Sequence, residues 1–146
     1  LAMPDREVVA VIGDGGFQMT LQELGTIMQH GIPVKILVLN NNFLGMERQW
    51  QELFHAKRYS FTDLVNPDFS RLAQAYGIQA RRLERREELP DFIQDMLASP
   101  DSFLLDVAVE REENVFPMIP AGAAVSDMLL EAPMAEKTDS VKTEFP

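Results

Sequence analysis

Val8-Val9-Ala10-Val11-Ile12-Gly13-Asp14-Gly15-Gly16-Phe17 opens the stretch that decides the fold, and Val34-Lys35-Ile36-Leu37-Val38-Leu39-Asn40-Asn41-Asn42 closes it. Each is a near-continuous aliphatic run followed by turn formers, the pattern of a strand buried on both faces of a parallel sheet. The chain between them reads as a helix. Thr20 and Glu23 have the spacing of a capping box, Leu21, Leu24, Ile27 and Met28 share one face, and Gly31 with Pro33 ends it. Together these segments form one βαβ unit of about 30 residues. A right-handed crossover brings the carboxyl ends of both strands to one sheet edge. Asp14 and Asn41 therefore emerge side by side where open α/β sheets bind ligands.

The chemistry of that edge narrows the ligand. A carboxylate and a carboxamide are hard oxygen donors, suited to Mg²⁺ or Ca²⁺ and poor for zinc. Gly13, Gly15 and Gly16 leave backbone amides open to close approach, and a following helix N-terminus adds positive potential, which suits a phosphate. Arg48 is the only cationic side chain at this edge between Asp14 and Trp50, because Lys35 sits at the opposite end of its strand. An anion beside Asp14 needs a divalent cation as a bridge, so the pattern points to metal plus diphosphate. G-D-G-G-F-Q fits neither the Walker pattern nor the dinucleotide fingerprint. Alone, G-D-G after a strand is an ordinary turn, and so is Asn. Separated by 27 residues across one βαβ unit, they form a far more specific pair.

GDG followed at that distance by NN resembles the metal and diphosphate signature of thiamine-diphosphate enzymes. The wider run GDGGFQMTLQELGTIMQHGIPVKILVLNNNFLGMERQWQELF closely resembles the large catalytic subunit of the acetohydroxyacid synthase (acetolactate synthase) family, over residues 1 to about 130 and on into PMIPAG. The resemblance implies an α/β fold: an open, mostly parallel sheet with helices on both faces, the thiamine-diphosphate-binding fold, with the N-terminal part of the domain upstream of this sequence. It implies Mg²⁺ ligation by Asp14, the Asn41 side chain and the backbone carbonyl of Phe43. Gly13, Gly15, Gly16 and Phe17 would meet the diphosphate. Leu44, Gly45 and Met46 match a turn passing close to the cofactor, with Met46 near the pyrimidine. Met46 and Trp50 match the substrate channel. By spacing alone, Met46, Trp50, Leu53 and Phe54 are the apolar face of a helix packed on a core, and Glu47 and Arg48 are solvated charges.

In such enzymes the organic chemistry belongs to the cofactor. Pyruvate is decarboxylated and its two-carbon remainder joined to a second 2-keto acid, pyruvate or 2-ketobutyrate, in branched-chain amino acid biosynthesis. The resemblance places the activating Glu in another domain, contributed by a partner subunit. No residue of this chain matches it, so no catalytic residue is assigned here and the chain alone is expected to be inactive. FAD is expected only in a further domain. A homodimer or tetramer, a regulatory small subunit, and a cytoplasmic or organellar location are likewise implied.

Composition is consistent with this. The 146 residues are 46% hydrophobic, enough for one domain with a core, and contain no Cys, so no disulfide framework or thiol nucleophile is available. The formal net charge of −10 argues against nucleic-acid or anionic-membrane partners. No apolar run approaches the ~20 residues of a bilayer span, and no signal-peptide pattern opens the chain. Leu1 to Arg6 reads as the end of a helix and a turn, which fits the C-terminal piece of a longer polypeptide.

Residues 1–110 are read as the cofactor-binding domain, 111–132 as a C-terminal segment covering the active site, and 133–146 as a disordered tail. Within the first, Tyr59 to Asp63 reads as a surface loop. Asn66 is expected to cap a helix begun by Pro67, with Phe69, Leu72, Ala73 and Tyr76 on its inner face and Gly77 at its end. Ile78–Leu83 reads as a strand, and Arg81, Arg82, Arg85 and Arg86, interleaved with glutamates, as a solvated face rather than a phosphate patch. A helix with Leu89, Phe92, Ile93, Met96 and Leu97 on one side leads to a buried strand from Phe103 to Val109. Phe116–Gly122, with two prolines, reads by composition as an extended tail, whereas the resemblance implies a segment folding over the active-site entrance. His30 and His55 have no metal-ligand partner at helical spacing.

Three functional readings follow. The first is an acetohydroxyacid synthase. Another thiamine-diphosphate enzyme, a pyruvate oxidase or a 2-keto acid decarboxylase, would share Asp14 and Asn41. A non-catalytic module binding a phosphorylated ligand would show no thiamine-diphosphate dependence.

Overall fold

Alternation along the two central strands sorts the core into two layers. In the computed structural model, which describes residues 2, 3 and 5–131, four parallel strands lie in the order β1-β2-β4-β3. They are β1 (Val8–Gly13), β2 (Val34–Asn40), β3 (Gln79–Leu83) and β4 (Phe103–Ala108). Ile36, Val38 and Leu104 point to one face, where Phe17, Leu24, Phe69 and Ala73 close over them. Leu105, Phe103 and Val107 point to the other, against Leu83 and Met96. The helices are α1 (Asp14–Gln18), α2 (Glu23–His30), α3 (Gly45–Phe54), α4 (Phe69–Ala75) and α5 (Leu89–Ala98). The sheet is thus parallel and helix-covered on both faces, as expected. The tail read as disordered, 133–146, lies outside the described residues.

β2 and β4 are central, and five of the six β4 residues are buried. β1 is not. It pairs with β2 alone, and Val8, Val9 and Val11 remain 49%, 42% and 60% exposed. Aliphatic composition marks a strand whose faces are to be covered, but it does not say which neighbour covers them. Lys35, at the amino end of β2, is fully buried. Its ammonium donates to the carbonyls of Ser99 (2.8 Å) and Asp101 (2.5 Å) and pairs with Glu7 at 3.1 Å, pinning the α5–β4 turn.

Four local expectations are corrected. Thr20 and Glu23 form no capping box, because residues 14–18 are already helical. The Thr20 hydroxyl turns back to the carbonyls of Gly16 and Phe17, while Gln22 precedes α2 without a side-chain cap. Met28 is 56% exposed and Leu97 45%, each at the margin of its helix's apolar stripe. Asp68, not Asn66, caps α4, with its Oδ1 accepting from the Arg71 N–H at 3.0 Å. Arg82 is not only a solvated charge, as the site shows below. Gly31 does end α2, in the left-handed region at φ 57° that glycine tolerates. No helix among the described residues is long and apolar enough to cross a membrane.

Candidate functional site

β1 and β2 run in register from Val8↔Val34 to Gly13↔Leu39, so they end together. Asp14 is the first residue of α1, behind Gly13 in extended backbone, and Asn40–Asn42 follow β2. A short helix beginning at Asp14 leaves its first-turn N–H groups without intrahelical acceptors, and a carboxylate there is favoured by the helix dipole. Asn42 adopts φ 57°, a left-handed conformation that Asn accepts better than most side chains, and this turns its N–H toward Asp14 Oδ2 at 2.9 Å. The Asn41 carboxamide oxygen accepts from the Phe43 N–H at 3.1 Å. Backbone bonds from Leu44 to Thr62 (2.8 Å) and Leu64 to Asn42 (2.9 Å) hold this loop from outside.

Asp14 is 1% exposed, and the groups that hold it form a continuous polar chain. Asn66 Nδ2 donates to Asp14 Oδ2 (2.6 Å), Asn40 Oδ1 (2.9 Å) and Asn42 Oδ1 (3.1 Å), and Asn66 Oδ1 accepts from Gln18 Nε2 (2.6 Å). Asn40 Nδ2 in turn donates to Asp106 Oδ1 (2.9 Å), whose other oxygen accepts from Arg82 Nη1 (2.7 Å). A hydrogen bond to Glu84 and the charge of Asp106 outweigh burial and raise the Arg82 pKa, so its guanidinium stays charged. Sequence reasoning missed Asn66, Asn40 and Asp106. The available signal was Asp106 itself, a charge in the otherwise apolar β4, which needs partners when buried.

These elements wall a cavity of about 650 Å³ at the carboxyl ends of β1 and β2. Gly13, Asp14, Gly15, Gly16, Asn41 and Phe43 line it, and so do Leu44, Gly45 and Met46. The structure therefore brings together nine of the eleven residues singled out from the sequence. Phe17 turns into the core at 4% exposure, where its ring meets Phe69 edge-on. Trp50 lies outside the cavity, over a neighbouring depression that it shares with Met46, and packs on Phe54 with ring centroids 4.8 Å apart.

Among the described residues, the lining carries Asp14, Glu47, Glu110 and Glu113 and no Lys, Arg or His. A phosphate entering this space meets carboxylates, so it requires a cation, and the donors present are oxygens that suit a hard divalent ion. Both bonds to Asp14 from the protein fall on Oδ2, which leaves Oδ1 for a ligand. Nothing lies within 4 Å of a Cβ built on Gly13, so the space beside its Cα is open. A Cβ on Gly15 would meet Leu44 Cδ2 at 2.8 Å. The residues present fit a divalent cation with a diphosphate.

α3 overturns its expected orientation. Arg48 and Gln49 are its buried residues, whereas Met46, Trp50 and Phe54 are 48%, 37% and 41% exposed. Arg48 is therefore not a solvated charge. Its guanidinium stacks on the rings of Phe43 (5.3 Å) and Tyr59 (4.9 Å) and pairs with Glu52 and Glu112. Buried against carboxylates, it is withdrawn from the cavity. Gln49 clasps the segment after β4: its Oε1 accepts from the Val115 N–H (2.8 Å) and its Nε2 donates to the Val115 carbonyl (2.9 Å) and to Met118 Sδ (3.1 Å). Residues 109–115 thereby wall one side of the cavity, and an antiparallel bridge from Met118 to Leu129 continues the strap.

The family model for the thiamine pyrophosphate enzyme, C-terminal TPP binding domain, matches residues 1–107. The chain belongs to this family. Its cofactor is thiamine diphosphate, another name for thiamine pyrophosphate. The acetolactate synthase large subunit of Parasynechococcus marenigrum (strain WH8102) is 44% identical over 131 residues, which are 88% of this chain and 21% of that protein. The isozyme 2 large subunit of Escherichia coli (strain K12) is 45% identical over 130 residues, 88% of this chain and 24% of its own length. The chain thus spans between a fifth and a quarter of the length of these curated relatives. Among solved structures, the thiamine diphosphate-dependent 4-hydroxybenzoylformate decarboxylase of Rhodococcus jostii RHA1 matches with TM-score 0.71 and 29% identity, over 77% of this chain and 21% of that one.

Proposed function

We propose that this thiamine-diphosphate domain serves an acetohydroxyacid synthase, which decarboxylates pyruvate and joins the remainder to a second 2-keto acid. The observation that carries the reading is the acid-lined cavity at the ends of β1 and β2, in a chain 44% and 45% identical to acetolactate synthase large subunits. Asp14, Asn41 and the Phe43 carbonyl hold Mg²⁺. The first-turn amides of α1 receive the diphosphate, and Leu44, Gly45 and Met46 form the wall beside the cofactor. When bound, thiamine diphosphate supplies the carbanion chemistry of decarboxylation and carbon–carbon bond formation. The chain's own work is to bind the diphosphate through the cation, to orient the cofactor against the α3 entry loop, and to limit water with the Val109–Val115 strap. Met46 and Trp50, exposed on α3, face the substrate. The activating Glu and an FAD site belong to other domains, and the assembly is a dimer or tetramer.

A product assay on the protein at its full natural length tests this. Acetolactate from pyruvate is expected, with loss of activity in Asp14→Ala. Acetaldehyde or peroxide as the product would point instead to a decarboxylase or an oxidase. An absence of any thiamine-diphosphate dependence would refute both.

A further inference from the structure

We propose that Asn66 is the positioning residue of the cation site, fixing the Asp14 carboxylate so that Oδ1 is presented to the cavity. The proposal rests on the metal–diphosphate reading above and adds to it a residue outside the cavity lining, on the segment before α4. Its basis is the direction of every bond around Asn66. A carboxylate accepts and cannot donate, so Asp106 Oδ1 obliges Asn40 to present Nδ2 to it and Oδ1 to the opposite side. Asn40 Oδ1, Asn42 Oδ1 and Asp14 Oδ2 are then three acceptors converging on one point, and Asn66 Nδ2 is the donor placed there. Two protons serve three acceptors, so one N–H is shared.

The amide cannot flip without setting an oxygen against those three, and Gln18 Nε2, donating to Asn66 Oδ1, locks the same orientation from behind. Asn66 and the Asn42 N–H occupy one oxygen of Asp14, and the carboxylate is held as a one-sided ligand. Outer partners of this kind orient metal-binding groups, and their removal typically costs about 10- to 100-fold in metal affinity.

Binding of Mn²⁺ at saturating thiamine diphosphate, read from the paramagnetic signal of the free ion, tests this on the protein at its natural length. Wild type is expected to bind, and Asp14→Ala to lose binding; no binding in wild type would sink the cation site and this proposal together. With wild type binding, Asn66→Ala is expected to weaken Mn²⁺ by about 10- to 100-fold. Asn66→Asp, of the same shape but with an acceptor where the donor stood, is expected to weaken it as well. Should Asn66→Ala fail to fold, Gln18→Ala replaces it and is expected to loosen Mn²⁺ several-fold. Asp68→Ala, which removes the α4 cap two residues away without touching the network, should leave Mn²⁺ binding unchanged. Binding by Asn66→Ala within twofold of wild type would overturn the proposal, as would equal weakening by Asp68→Ala or tighter binding by Asn66→Asp.

Discussion

Gln49 offers the sharpest test of how the cavity wall is held. Replacing it with Met keeps the chain length and removes both bonds to Val115. Each such bond contributes about 1 kcal/mol net. Val115 is itself 60% exposed, so its N–H and C=O regain water once the strap lifts, and the cost stays near that net value rather than a full desolvation penalty. The sum is about 2 kcal/mol, or about 30-fold in the opening equilibrium of the strap, at 1.4 kcal/mol per tenfold. Amide hydrogen exchange reads this directly, because the Val115 N–H is one of the lost donors. Its exchange should accelerate about 30-fold, while amides of β2 and β4 keep their protection. Unchanged exchange at Val115 would refute the clasp. Equal acceleration in β2 and β4 would show that Gln49 supports the global fold rather than this local closure.

Other perturbations separate ligand space from packing. Gly13→Ala fits its φ of −72° and meets no neighbour, so thermal stability should hold within about 0.5 kcal/mol. The methyl group projects into open space at a residue lining the cavity, and thiamine-diphosphate affinity measured by calorimetry should fall about tenfold, or about 1.4 kcal/mol. Gly15→Ala should instead cost about 1 kcal/mol in urea unfolding, because the ends of the Leu44 and Leu64 side chains must shift. Asp106→Ala should cost about 3 kcal/mol by the same measure, since it strands Asn40 Nδ2 in the interior, while the partly exposed Arg82 still reaches water. Burial pushes the Glu52 pKa up, but the Asn114 side chain and the charges of Arg48 and Lys57 outweigh it and leave it lowered. Its stabilising contribution is therefore complete above the unfolded value of about 4.3 and is lost as pH falls from there through the lower folded value. A thermal melt series from pH 6 to pH 3 should show that loss, and Glu52→Gln should flatten it.

The strands, the βαβ register and the Asp14–Asn41 juxtaposition were legible because they depend on local pattern and on one chirality rule. The side of α3 that turns inward was not. Hydrophobic periodicity assumes that the core lies beneath the helix, whereas α3 packs on a polar strap, and Gln49 and Arg48 can be buried there only because partners from residues 112–118 and from Tyr59 satisfy them. The partners of Gln49 lie 66 and 69 residues away, and no window along the chain contains both. Asn66 escaped notice for a related reason. Asn before Pro has an ordinary local use as a cap, and only the placement of the cap two residues later, at Asp68, frees it for the Asp14 network.

Withdrawal of Arg48 from the cavity has a chemical consequence. A guanidinium facing the diphosphate would bind it without a cation, and the ligand could then be any small phosphate. With Arg48 stacked between Phe43 and Tyr59 and neutralised by Glu52 and Glu112, the lining is left, among the described residues, with four carboxylates and no positive side chain. Such a lining disfavours free phosphate and favours an anion paired with a divalent ion. On the proposed reading, the burial of Arg48 against Phe43, Tyr59 and two carboxylates leaves the diphosphate dependent on the cation.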